Sequence, residues 1–226
     1  MTAPSRREQN RLEKQARILD AALQVFARAG YSGASMDAIA AEAEVTKPTV
    51  YHYFPSKDDL FNAMMADRKD QMLMAFAADA AGNIVTQLHS FAWRYARSVM
   101  RPEMLSLTRL VIGEARRFPD IGRQYQASGP ERLVAGLADY LSSCRDTGQL
   151  QFEDAEMAAH DLLSLVLSTP RNAALHEPDL RFEEGDLSRH IQNGLMVFLR
   201  AYATQPEYQL NRLAEVVTNA DSSGIQ

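Results

Sequence analysis

Apolar residues along this chain recur at helical intervals nearly throughout, with almost no sign of the two-residue alternation of a strand. Leu12, Ala16, Leu19, Leu23 and Phe26 are spaced by four, three, four and three, which predicts a first helix from about Glu8 to Ala29 with Gly30 as its stop. From residue 35 to residue 60 the pattern breaks into short pieces. Ser35, Thr46 and Ser56 are each an N-cap residue type standing before a run of helical character, so this stretch holds three helix starts. Ile39, Ala40 and Ala43 give the first piece a small apolar stripe, and Val45 can staple onto Val50 at the start of the second. The second piece spans only about Lys47 to Tyr53. Pro48 suits its first turn, where an amide has no partner to lose, and Pro55 forbids continuation past Phe54.

Longer helices are predicted from Lys57 to about Ala80, Asn83 to Met100, Glu103 to Phe118, Pro119 to Ala127, Glu131 to Thr147, Asp154 to about Ala173 and Asp186 to Ala203. Gly82, Pro102, Pro119, Gly129-Pro130, Gly148 and Pro178 supply the breaks. The expected fold is all-α, with a three-helix domain at 8–55 followed by a larger helical bundle at 56–204. Residues 205–226 are expected to form a C-terminal tail, fraying from Asn219 onward.

A helix of six or seven residues is not stable alone, so the second short piece must dock Val50 and Phe54 on its neighbours. That docking turns Thr46, Lys47, Thr49, Tyr51 and His52 outward. These side chains suit phosphate oxygens and base edges, and two short helices joined by a tight turn at about 35–54 have helix-turn-helix geometry. The competing account is a small helical subdomain whose exposed Tyr and Lys are simply solvated.

The residues Ile18-Leu19-Asp20-Ala21-Ala22-Leu23, Phe26, Gly30-Tyr31, Ile39-Ala40, Val45-Thr46, Thr49-Val50-Tyr51-His52-Tyr53-Phe54 and Ser56-Lys57-Asp58-Asp59-Leu60 resemble the DNA-binding domain of TetR/AcrR-type transcriptional regulators. Position by position, the resemblance implies that Thr46, Lys47, Pro48, Thr49, Tyr51 and His52 are recognition-helix contacts, that Lys57 clamps a phosphate, and that Ser35 belongs to the same DNA-binding set. One departure stands in the turn, where the family usually carries Gly and this chain has Glu44. If that position needs a positive φ, Glu44 is strained there and brings its charge near phosphates.

Composition fits a globular regulator: 226 residues, 46% apolar and 23% charged, are enough for an ordinary core in one or two domains. No apolar run approaches the roughly 18 residues of a membrane span, and the polar, basic start has no signal-peptide core, so a cytoplasmic protein is expected. Cys144 follows Leu137, Tyr140 and Leu141 at helical spacing, as a buried small hydrophobe would. The net charge of −5 is uneven. Residues 1–60 carry eight Lys or Arg and eight Asp or Glu, while Arg6, Arg7, Arg11, Lys14 and Arg17 against Glu8 and Glu13 leave the first 17 at +3. That segment reads either as a flexible arm adding phosphate contacts or as a solubilising tail.

Two apolar stripes near the C-terminus exceed what a lone subunit needs. Ala155, Ala159, Leu162, Leu163, Val166 and Leu167 form one, and Leu187, Ile191, Leu195, Phe198 and Tyr202 the other. Leu162, Val166, Ile191, Leu195 and Phe198 are therefore expected at a four-helix homodimer interface. A dimer would set two recognition helices about 34 Å apart, matching a palindromic operator in double-stranded DNA. The segment from Arg109 to Pro119, with Gly129-Pro130 and Tyr140-Leu141 to Gly148-Gln149-Leu150, resembles the C-terminal domain of the AefR-like branch of the same family. That resemblance implies dimerisation and a small-molecule effector pocket there, with the helix from Lys57 as the lever between the two parts.

Candidate pocket residues are Phe91, Trp93, Tyr95, Met104, Leu107, Ile112, Phe118, Tyr125 and His160, with Arg109 or Glu114 as polar anchors, against the plain alternative that such residues are core. No cofactor is implied. His52, His89, His160, His176 and His190 match no zinc or di-iron spacing, and neither a phosphate loop nor a nucleophile elbow occurs. The expected function is a sequence-specific transcriptional regulator, a repressor released from its operator by a largely apolar effector. Its rivals are a helical enzyme and a helical interaction protein that does not bind DNA.

Overall fold

The computed structural model describes residues 5–64 and 83–223, and all regular structure among them is helical apart from one antiparallel bridge between Leu150 and Ala203. The helices are α1 (Arg6–Gly33), α2 (Met36–Glu42), α3 (Lys47–Tyr53), the start of α4 at 57–64, α5 (Ile84–Val99) and α6 (Pro102–Glu114). They continue as α7 (Pro119–Ser128), α8 (Pro130–Asp146), α9 (Ala155–His176), α10 (Glu184–Tyr202) and α11 (Pro206–Ser223). They sort into two compact units, Met1–Asp70 with Pro102–Gly129, and Gln71–Arg101 with Pro130–Gln226.

The first unit is built on α1. Ser5 Oγ accepts from the Glu8 amide at 3.3 Å, and the helix starts at Arg6. The basic segment, read from the sequence as either a flexible arm or a solubilising tail, is therefore the outer turns of a helix, in keeping with its run of good helix formers, Glu13 to Ala16. All but one of its side chains are exposed, Leu12 and Ala16 among them, so the predicted stripe packs only from Ile18 onward. Gly30, at φ +73°, breaks the helix where the sequence predicts, and a further turn brings Tyr31 into an aromatic cluster. The Tyr31 ring lies 5.7 Å from Phe26, 5.3 Å from Phe61 and 5.7 Å from Phe118.

Ile18, Phe26, Ile39, Val50, Leu60 and Phe61 are completely or almost completely buried in one core. Leu107, Leu110 and Val111 of α6 and Ile121 of α7 enter that same core, with α6 lying along α1. The stretch expected as a single second domain, 56–204, is thus shared between two cores. Periodicity marks the apolar face of α6 without saying which neighbour covers it.

In the second unit, α9 lies between α8 and α10, and α5 and α11 close the bundle. α9 and α10 cross at Gly194, where a β-carbon would come within 2.6 Å of the Leu165 backbone. Tyr202 donates to Asp161 across the same pair at 2.5 Å, which raises the Tyr202 pKa, chiefly through that bond. Arg97 of α5 pairs with Glu184 of α10 at 2.8 Å. Backbone bonds from Gln151 N to Tyr202 O (2.8 Å) and from Thr204 N to Gln149 O (3.2 Å) tie the α8–α9 connection to the end of α10.

Two expectations change here. The stretch from 205 onward, expected as a tail, folds as α11 to Ser223 because Leu210, Leu213 and Val217 recur at three and four and pack on the core. Leu162, Val166, Ile191, Leu195 and Phe198, expected at a dimer interface, are each 0% exposed within a single chain. Their stripes are consumed in packing α9 and α10 on their own unit.

Candidate nucleic-acid interface

α2 ends in a six-residue cap. The Glu44 amide donates to Ala41 O (3.1 Å) and the Val45 amide to Ala40 O (3.0 Å), the pairing of a Schellman motif, with Glu44 at φ +52°. The position where the family usually carries Gly does take a positive φ here, and Glu44 is the only non-glycine with positive φ among the described residues. Arg17 of α1 donates to Ala43 O at 3.0 Å, and Arg28 pairs with Glu42 at 2.9 Å, so α1 holds the turn from behind.

The cap aims the chain into α3. Val50 (0% exposed) and Phe54 sink into the core, which leaves Thr46, Lys47, Pro48, Tyr51 and His52 exposed and Thr49 half-buried. Tyr51 is 41% exposed, and His52 lies edge-on to Tyr53 at 5.5 Å. Thr46 does not cap α3 with its side chain; its hydroxyl instead meets that of Thr49 at 2.8 Å. Ser35 and Ser56 do cap, accepting from the Ala38 amide (3.1 Å) and the Asp59 amide (3.0 Å). Ser35 thus serves the start of α2.

The two lysines are already engaged. Lys47 Nζ reaches Asp37 Oδ2 of α2 at 2.9 Å, and the hydrogen bond, followed by the charge of Asp37, raises the Lys47 pKa. Both side chains are more than half exposed, so the pair is open to solvent and to exchange with phosphate. Lys57 Nζ donates to the carbonyls of Tyr31 (2.8 Å) and Ala34 (3.2 Å) and sits 4.6 Å over the Tyr31 ring. It binds α4 to the end of α1. Arg17, Asp37 and Tyr31 have structural parts here that the sequence does not announce, since each partner lies 10 to 26 residues away.

The expected effector-pocket residues fall in different units. Met104, Leu107, Arg109, Ile112, Phe118 and Tyr125 belong to the first, where Leu107 is core, Ile112 is 65% exposed and the Tyr125 hydroxyl meets Thr108 at 3.0 Å. Phe91, Trp93, Tyr95 and His160 belong to the second. There Phe91 stacks on Tyr95 at 6.0 Å, Trp93 Nε1 donates to His89 Nε2 at 3.2 Å, and His160 is exposed beside Glu156. The expected lever runs from Lys57 to about Ala80, and residues 65–82 lie outside the described structure. Among the described residues no group of acidic, His or Cys side chains is arranged to hold a metal, and no helix is long and apolar enough to cross a membrane.

A short exposed helix propped by two others after a capped turn is the helix-turn-helix class. Residues 18–64 match the family described as bacterial regulatory proteins, tetR family, and residues 86–204 match the AefR-like transcriptional repressor C-terminal domain. This chain belongs to the TetR family of transcriptional regulators. The repressor KstR of Mycolicibacterium smegmatis is 31% identical over 160 residues, covering 69% of this chain and 76% of KstR. The regulator SrpR of Pseudomonas putida is 40% identical over 67 residues, a match covering 30% of this chain and only 32% of SrpR. A TetR-family regulator from Mesorhizobium loti has the same fold at a TM-score of 0.77 and 29% identity, over 89% of this chain and all of that one. The flavonoid-responsive regulator FrrA follows at 0.68 and 30%, over 85% of this chain and 98% of its own.

Proposed function

We propose that this regulator acts in the cytoplasm as a homodimeric repressor that reads a palindromic operator and leaves it when a small, largely apolar effector binds. The observation that carries the reading is the orientation of α3: Val50 and Phe54 anchor it while Thr46, Lys47, Tyr51 and His52 stand free of the core. Thr49, Tyr51 and His52 then supply base-edge contacts, with Thr46 and Pro48 beside them, and Lys47 and Lys57 supply phosphate contacts. Lys47 can exchange an exposed carboxylate for a phosphate, and the Lys57 ammonium keeps a third N–H beyond its two carbonyls.

The dimer surface in this proposal is the outer side of α9 and α10, where Met157, Leu165 and Val197 are exposed apolar side chains. The relatives named a repressor and a flavonoid-responsive regulator support effector-controlled repression. An effector must bind the DNA-incompetent arrangement more tightly, or it shifts nothing.

Selection of bound sequences from random duplex DNA tests this reading. A palindrome whose half-sites lie about one helical turn apart, or slightly more, is the expected winner. Recovery of no sequence, with binding absent at low salt, would favour a helical interaction protein and end the proposal.

A further inference from the structure

α11 begins at Pro206, beyond residue 204 where the family match to the C-terminal domain ends. Between α11, the side of α10 that carries Met196 and the segment around Phe182 lies an open cleft of about 960 Å³, at the upper end of the range for small-molecule sites. Its floor is apolar, with Met196 from α10 and Leu210, Leu213 and Val217 from α11. Its rim is cationic. Arg189 and Arg200 stand with Met196 at helical spacing along one side of α10, and neither has an ion-pair partner among the described residues. Arg181 is fixed at the same cleft by donating to the carbonyls of Pro178 (2.6 Å) and Leu180 (3.0 Å).

Among the described residues of the lining, Asp186 is the only carboxylate, against these three guanidinium groups, in a chain whose net charge is −5. His190 lines the cleft as well. Arginines without an ion-pair partner among the described residues, set above an apolar floor, call for a ligand with an apolar body and one anionic end. Arginine also offers the bidentate fork that a carboxylate fits. A neutral apolar molecule would leave the guanidinium groups unused, and a small inorganic anion would leave the floor wet.

We propose that the α10–α11 cleft binds an amphipathic monoanion, an acyl or aryl carboxylate, with its apolar body on Met196, Leu213 and Val217 and its carboxylate taken by the rim arginines. This site is separate from the DNA-reading face and stands or falls without it.

The test is calorimetric titration of the full chain with decanoate and with 1-decanol, on the wild type and on the Arg189→Gln/Arg200→Gln variant. Neither substituted side chain belongs to the core, so the variant keeps its fold. The expected result is a decanoate site at least tenfold weaker in the variant, with 1-decanol affinity and sedimentation coefficient unchanged. Equal decanoate affinity in the two proteins overturns the proposal, because the anion then binds elsewhere. Absence of decanoate binding to the wild type overturns it too. So does a changed sedimentation coefficient in the variant, since the arginines would then be meeting a second copy of the chain.

Discussion

Glu44 holds a left-handed backbone at φ +52° that costs a residue with a β-carbon about 1 kcal/mol. The chain contains its own control. α8 ends in the same six-residue cap, with the Gly148 amide on Arg145 O and the Gln149 amide on Cys144 O, and there the left-handed position at φ +73° is a glycine. Glu44→Gly should therefore raise the stability by up to about 1 kcal/mol, partly offset by the extra freedom glycine has in the unfolded chain. Gly148→Ala should lower it by a similar amount, both read from urea denaturation. Removing the Glu44 charge should also tighten DNA binding, most at low salt. The need for a left-handed residue in the turn is legible from the family resemblance. The engagement of the lysines is not, because Asp37 is ten residues from Lys47, and Tyr31 and Ala34 are 26 and 23 residues from Lys57. Lys57 separates two roles that one substitution can measure. Lys57→Ala should cost about 1 kcal/mol of stability through the two lost carbonyl bonds. It should also reduce the slope of log affinity against log salt by about one if the residue holds a phosphate. A stability loss with an unchanged slope would leave Lys57 only its place between α1 and α4.

At the scale of elements, the short ones are the most legible. α2 and α3 are bracketed by Ser35, Glu44, Pro48 and Pro55, each of which acts on the backbone within a turn of itself. α11 escapes a reading by pattern because its stripe of Leu210, Leu213 and Val217 sits in a polar stretch and depends on the partner it covers. The stripes of α9 and α10 are plain in the sequence but their partner is not, since a period of 3.6 shows which face is apolar and never what lies against it. What fixes α9 on α10 is a small residue at their crossing. Gly194 lets the Leu165 backbone approach to where a β-carbon would stand at 2.6 Å, so Gly194→Ala must push the helices apart. That change should cost about 1–3 kcal/mol in chemical denaturation. Gly185, at the start of α10, has open space where a β-carbon would stand, and Gly185→Ala should cost nothing. Equal effects of the two substitutions would mean that close approach at Gly194 contributes nothing.

For the molecule as a whole, one recognition helix reads too few base pairs for a specific site, so dimerisation and DNA reading are a single requirement. The residues whose stripes suggest a subunit interface are spent inside each chain, and the outer sides of the same two helices carry the apolar residues that remain. Val197 stands one turn beyond Gly194, and Leu165 is the residue Gly194 touches, so both flank the crossing and each is 37% exposed. A charge placed at that point would be buried without a partner in a dimer and solvated in a monomer. Leu165→Arg/Val197→Arg should therefore sediment as a monomer with an unchanged helical circular dichroism spectrum. Its affinity for a palindromic operator should fall at least 100-fold, while its affinity for a single half-site should stay at the wild-type value. If the double variant remains a dimer, the subunit contact lies on another face. If it becomes a monomer and loses the half-site as well, the reading head depends on dimerisation for its own fold, and the independent core of Ile18, Phe26, Val50 and Phe61 argues against that outcome.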